Sequence, residues 1–188
     1  MDPNVLVLIV VVGIPLIIVL FIWASYNGLV KLRNQCRESW SNVDTELKRR
    51  YDLIPNLVAT VKGYAAHERE TLESVTRLRE AAVASTGSPA SQAADEVKLV
   101  QGLRQLFAVV ENYPVLKADR HFLELERELS ITEDRIQAAR RFFNANIRDY
   151  NTRVEQFPSN LVAGWFSFRA QEFFEVDPVE TAPPRLGD

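Results

Sequence analysis

His67-Glu68 is a pair whose types suggest chemistry, because zinc proteases carry His-Glu-x-x-His on one helix so that two imidazoles share a metal. The residue four after His67 is Thr71, so the second ligand is missing and a polar residue near a turn is what remains. A second group is Glu124, Glu126, Glu128, Glu133 and Asp134. A di-iron bundle needs Glu-x-x-His pairs projecting inward from facing helices, yet the residues three before His67 and His121 are Tyr64 and Ala118. These acidic residues lie mostly off the apolar stripe and alternate with Arg127 and Arg135, the pattern of a solvated face. Cys36 has no histidine close in sequence, and its type suits a small buried hydrophobe. No phosphate-binding G-x-x-x-x-G-K-[ST] or G-x-G-x-x-G and no G-x-S-x-G occurs. The expectation is a chain with no catalytic centre, no metal and no cofactor.

The bulk numbers point the same way. One cysteine among 188 residues excludes an internal disulfide framework, and with only two histidines a structural zinc site, needing about four ligands, is out of reach. The net charge is -3, with acidic and basic residues interleaved, so no nucleic-acid partner is expected. Hydrophobic residues at 47% and charged ones at 25% fit neither a disordered chain nor a polytopic membrane protein.

Any function must therefore come from the elements, beginning with VLVLIVVVGIPLIIVLFIWA at positions 5–24. At ~1.5 Å per residue this uncharged run reaches about 30 Å, the thickness of a bilayer's hydrocarbon core. Gly13 and Pro15 are tolerated in a transmembrane helix, and Trp23 and Tyr26 stand at its edge, where amphipathic rings favour the interface. A cleaved signal peptide would need a basic flank, a shorter apolar stretch and a small-x-small site, none of which Met1-Asp2-Pro3-Asn4 and Ala24-Ser25-Tyr26 supply. Lys31, Arg33, Arg37, Lys48, Arg49 and Arg50 all follow the run, against only Asp2 before it. The positive-inside rule then puts positions 1–4 outside and the bulk of the protein, after the run, in the cytoplasm.

Beyond the anchor, positions 25–176 read as a helical bundle. Leu29, Leu32, Cys36, Trp40, Val43, Leu47, Tyr51, Ile54, Val58, Val61 and Ala65 form one stripe at intervals of three and four, continued by Leu72, Val75 and Leu78. Pro55 should kink this first helix, since it has no N–H for the carbonyl of Tyr51. Gly87, Ser88 and Pro89 mark a stop and restart as C′, N-cap and first helical residue. A second helix follows over about 89–112, with Ala93, Val97, Val100, Leu103, Phe107 and Val110 inward. The third, about 119–156, carries Phe122, Leu125, Leu129, Thr132, Ile136, Ala139, Phe143, Ile147, Tyr150 and Val154 in a coiled-coil-like seam. A shorter amphipathic piece with Leu161, Trp165, Phe166, Phe173 and Phe174 closes the domain, and positions 177–188 are expected to be a disordered tail. Short connections between long helices make this an all-α, antiparallel up-and-down bundle: three long helices plus a shorter C-terminal one.

Four blocks carry a resemblance: YNGLVKLRN (26–34), KRRYDLIPNLVATVKGYAAHE (48–68), ENYPVLKA (111–118) and YNTRVEQFPSNLVA (150–163). The chain resembles the LemA family of bacterial membrane proteins, from the anchor to FFEV at 173–176. The resemblance implies a single-pass inner-membrane protein with an antiparallel four-helix bundle and no established enzymatic activity. It also implies a link to membrane organisation, since some relatives are associated with magnetosome membranes. Cys36, where the family usually has an aliphatic residue, and Phe143-Asn144, where Tyr-Asn is commoner, are small departures.

The expectation is thus a non-enzymatic, membrane-anchored scaffold that self-associates and organises membrane or partner proteins. An accessory subunit of a separate membrane enzyme, protease or stress-response complex is the alternative. Lys31, Arg33 and Arg37 are candidate lipid-headgroup contacts. Lys48, Arg49 and Arg50 stand too far along a straight helix to reach headgroups, and with Trp165, Phe166, Phe173 and Phe174 they are candidate protein contacts. The first helix outruns the second, so part of its seam is expected to need a second copy to cover it.

Overall fold

The computed structural model describes Pro3 and residues 9–175. The rest of the N-terminal segment 1–4, positions 5–8 of the apolar run and the tail 177–188 lie outside the described residues. A π-helical turn, Ile9–Gly13, leads into six α-helices. They are α1 (Ile14–Tyr64), α2 (Arg69–Ala84), α3 (Pro89–Val110), α4 (Pro114–Lys117), α5 (Arg120–Glu155) and α6 (Ser159–Trp165). The π turn lies just before Pro15, which has no N–H for the carbonyl of Val11, so regular bonding is interrupted there. No strand occurs among the described residues; the protein is an all-α helical bundle.

Two compact units divide the chain: Met1–Ser39 with Ala145–Gln171, and Trp40–Asn144 with Glu172–Asp188. In the first unit, Ser25, Leu29, Cys36 and Ser39 of α1, Ile147 and Tyr150 of α5, and Val162 and Ala163 of α6 are all buried. Each large aliphatic in that set gives about 1.5–3 kcal/mol on burial. Cys36 is 1% exposed and its thiol donates to the Asn146 carbonyl at 3.4 Å, while burial pushes the thiol pKa up. The small-hydrophobe role expected of it fits. Ser159 donates its hydroxyl toward the carbonyls of Arg153 and Gln156, at 2.7 and 2.9 Å, which answers carbonyls left over at the end of α5.

In the second unit, residues 40–64 of α1 run antiparallel to α5: Trp40 meets Phe143, Arg50 meets Glu133 and Tyr64 meets Asp119. The seam expected to run on to Leu78 is divided between two helices. Its break falls at residues 65–68, because between Ala65 and Leu72 the stripe offers only Glu68 and Arg69. Pro55 lies inside α1 and does not end it. α2 folds back to bring Arg79 to the Tyr51 carbonyl, and the seam residues Val43, Leu47, Ile54 and Val61 are 0–2% exposed.

Ser88 caps α3 as expected, accepting from the Ser91 N–H, with Pro89 at its first position. Gly87 does not take the left-handed form expected of a C′ residue; Ser85, with ψ 107°, turns the chain out of α2 directly. The inward face of α3 also differs from expectation: Val97, Val100 and Phe107 are half-buried, and Glu96, Leu99 and Leu106 are buried instead. Gly102 sets that register. A Cβ there would stand 2.6 Å from Leu78 Cδ1, so α2 and α3 approach closely at this point. The seam of α5 is close to expectation, with Phe122, Leu129, Thr132, Ile136, Phe143, Ile147 and Tyr150 buried.

Candidate functional site

The interior of the second unit is not uniformly apolar. Arg50 stands three residues after Leu47 and four before Ile54, a seam position, and is 3% exposed. It pairs with Glu96 of α3, itself 6% exposed, and with Glu133 of α5 at 2.8 Å. Tyr51 donates its hydroxyl to Glu96, and Gln137 donates to Glu133 at 2.9 Å. From α2, Arg79 donates to the Tyr51 carbonyl at 2.6 Å. Side chains of four helices therefore meet in one polar network. Burial pushes the Arg50 guanidinium pKa down, opposed mainly by Glu133; a guanidinium remains charged all the same. Burial pushes the Tyr51 phenol up, against the pull of Arg50, and so keeps it protonated.

Beside the network lies a groove of about 310 Å³. Leu47, Val97, Val100, Ile136 and Phe174 form its apolar wall, while Arg50, Arg104, Arg140, Glu96 and Glu133 bring three positive charges against two negative ones. Arg104 and Arg140 take part in no ion pair among the described residues, and Arg50 Nε is buried without a hydrogen-bond partner. The lining thus carries a net positive charge, with Arg50 already paired to both carboxylates. It presents no activated nucleophile.

The group Lys48, Arg49 and Arg50, expected to act together on a partner, is split three ways. Lys48 pairs with Asp44 at 2.7 Å on the surface, Arg49 with Glu128 at 2.9 Å, and Arg50 turns inward. Glu133, expected on a solvated face with its neighbours, closes one side of Arg50. The network escaped the sequence reading because a charged residue at seam spacing is legible as such only when its partner is known. Arg50, and Glu96 three residues from both Ala93 and Leu99, were the available signal.

In the first unit Lys31 and Arg37 are exposed, whereas the Arg33 guanidinium lies 5.1 Å from the centre of the Phe168 ring. The aromatic C-terminal piece is not one amphipathic helix. It ends as a helix at Trp165 and continues as an extended strap. The Phe168 N–H reaches the Ala163 carbonyl and the Ser167 N–H the Gly164 carbonyl, a Schellman ending with Ser167 left-handed at φ 58°. Asn151 then holds Gln171 by both its N–H and its carbonyl, at 2.8 and 2.9 Å. In the second unit Asn144 holds Phe174 the same way, at 2.9 and 3.1 Å. Phe174 is buried against Trp40, with ring centres 5.5 Å apart, and Phe173 is half-buried. Trp165 and Phe166 stay exposed, at 74% and 49%. The expected protein-contact rings thus separate into a buried pair partner and an open surface.

Among the described residues one helix, at the N-terminal end, is long and apolar enough to cross a membrane. Comparison with known proteins adds to this geometry. The chain is similar to Magnetosome protein MamQ of Magnetospirillum gryphiswaldense, 25% identical over 84% of this chain and 67% of that protein. It is similar to Magnetosome protein MamQ 2 of Paramagnetospirillum magneticum, 26% identical over the same shares. Protein LemA of Metamycoplasma hominis is 25% identical over 82% of this chain and 70% of its own length. The LemA family matches residues 39–186, which takes in the whole of the second unit's helical core with its buried arginine. With an apolar helix ahead of an all-α bundle and a match over most of its length, the chain belongs to the LemA family.

Proposed function

We propose that the protein is a membrane-anchored helical scaffold, non-enzymatic and self-associating, that organises membrane or partner proteins. The observation that carries this reading is the apolar surface of the π turn and the start of α1. Val11, Val12, Ile14, Leu16, Ile17, Ile18, Val19 and Leu20 are 50–67% exposed on the chain, and only a lipid or protein environment removes that surface from water. The basic residues that follow it support a cytoplasmic side for the bundle. The names of the two MamQ relatives, both magnetosome proteins, accord with a membrane-organising role.

The test is extraction, topology and assembly of the full-length protein. It should resist alkaline carbonate and enter the detergent phase. Native Cys36 is buried, so a thiol at exposed Ser130 is the better reporter. Ser130→Cys should react with an impermeant reagent only after the cells are opened, and reaction in intact cells would reverse the orientation. Crosslinking in membranes should give homo-oligomers. Recovery with one unlike protein in fixed stoichiometry would instead favour an accessory subunit, a reading that the positively charged groove at Arg104 and Arg140 supports by offering a seat for an acidic partner segment.

A further inference from the structure

Alpha-helix α6 is inside out for a helix of a water-soluble bundle. Its buried side is Ser159, Val162 and Ala163, while Leu161 and Trp165, one turn apart on the open side, are 56% and 74% exposed. Phe157 before it and Phe166 after it are 74% and 49% exposed. No charged residue occurs from position 156 to 168, although Arg153 and Glu155 precede the run and Arg169 follows it. An exposed segment bathed in water has no reason to exclude charge over that length.

The position of Phe166 says what covers it. Its ring centre is 4.8 Å from that of Tyr26, and it lines an apolar groove with Val19, Ile22, Trp23 and Tyr26 of α1. It therefore sits at the level of the last turns of the apolar run. The anchor cannot be drawn out of the bilayer to leave Phe166 in water. Positions 5–18 alone would span only ~21 Å, against a hydrocarbon core of about 30 Å. Whatever depth Trp23 takes, Phe166 takes with it. The Schellman ending at Ser167 and the pairing of Phe168 with Tyr26, at 5.8 Å, hold the ring in that place.

We infer that the α5–α6 turn and α6 form a second membrane-contacting element, which seats Phe157, Leu161, Trp165 and Phe166 in the interfacial layer of the bilayer beside the anchor. Aromatic rings favour that layer, and a short uncharged amphipathic piece lies in its plane. The anchor and the turn then grip the lipid at two points and restrict how the first unit tilts on the membrane. This inference rests on the reading of α1 as a membrane anchor, and the experiment separates the two.

The full-length protein is reconstituted in phosphatidylcholine–phosphatidylglycerol vesicles carrying bromine at a shallow or a deep acyl position. Two single-tryptophan forms are compared: Trp23 alone (W40F, W165F) and Trp165 alone (W23F, W40F), each checked for native helix content. Shallow bromine should quench Trp165 to within about twofold of Trp23, and deep bromine should quench both less, as befits rings at headgroup depth. Quenching of Trp23 without quenching of Trp165 overturns the inference and leaves the anchor standing. Quenching of neither overturns both. Trp165 shielded from aqueous acrylamide yet untouched by bromine means that protein covers it, and this too overturns the inference.

Discussion

Arg79 Nε lies 2.6 Å from the carbonyl oxygen of Tyr51, an oxygen that α1 cannot use itself. The N–H that would normally take it belongs to the residue four positions on, and that residue is Pro55. The arginine of α2 supplies the donor that the proline lacks, which is how α1 carries a proline in its interior and continues to Tyr64. A backbone defect in one helix thereby ties it to the next.

Arg79→Met should cost about 1–2 kcal/mol, the loss expected when a charged donor leaves a half-buried carbonyl unsatisfied. Pro55→Ala returns the missing N–H, so in that background the same substitution should cost about 1 kcal/mol less. A double-mutant cycle by denaturation in detergent measures the difference. Equal losses in both backgrounds would show that Arg79 does not compensate for the proline.

Arg50→Met leaves Glu96 buried without its cation and should cost about 3–5 kcal/mol. Adding Glu96→Gln keeps an acceptor for the Tyr51 hydroxyl and removes the stranded charge, so the double variant should regain most of the loss. Thermal unfolding of the two variants side by side decides it; a double variant no more stable than Arg50→Met alone contradicts the electrostatic account.

Ser167 occupies a left-handed backbone position that costs a non-glycine residue about 1–2 kcal/mol. Ser167→Gly should remove most of that strain, lose part of the gain to a freer unfolded chain, and stabilise by about 0.5–1 kcal/mol. Ser167→Val should destabilise. A midpoint that moves down for the glycine variant would mean that the turn is held by something other than its backbone angles.

Asp119 caps α5 by accepting from the Phe122 N–H at 2.9 Å, and also accepts from the Tyr64 hydroxyl at 2.9 Å. These bonds hold its carboxyl pKa below the ordinary aspartate range, the capping bond first. A group whose pKa is lower folded than unfolded stabilises fully above its unfolded value, about 3.9, and loses that contribution as pH falls through the folded value. Wild type should therefore exceed Asp119→Asn in melting temperature near neutrality, and the gap should close in acid. A gap that stays constant from pH 7 to pH 3 would remove the carboxylate from the argument.

Local pattern told much of this in advance. Helical periodicity, the uncharged run that opens the chain, the Ser88-Pro89 start of α3 and the seam of α5 are each written within a few turns of sequence, because a helix repeats every 3.6 residues and buries one stripe. The division of the first stripe at residues 65–68 was also present there, as a gap in the apolar spacing. Tertiary structure alone decided which charges pair inside. The seam spacing of Arg50 and Glu96 is a local sign of burial, but Arg50 and Glu96 are 46 positions apart and Arg50 and Glu133 are 83 apart, so their pairing is not written locally. The same holds for Arg79 at Tyr51, for the asparagines that hold the strap, and for Phe166 against the last turns of the anchor. Periodicity is a property of one helix, whereas each of these pairings is a property of how helices are laid together.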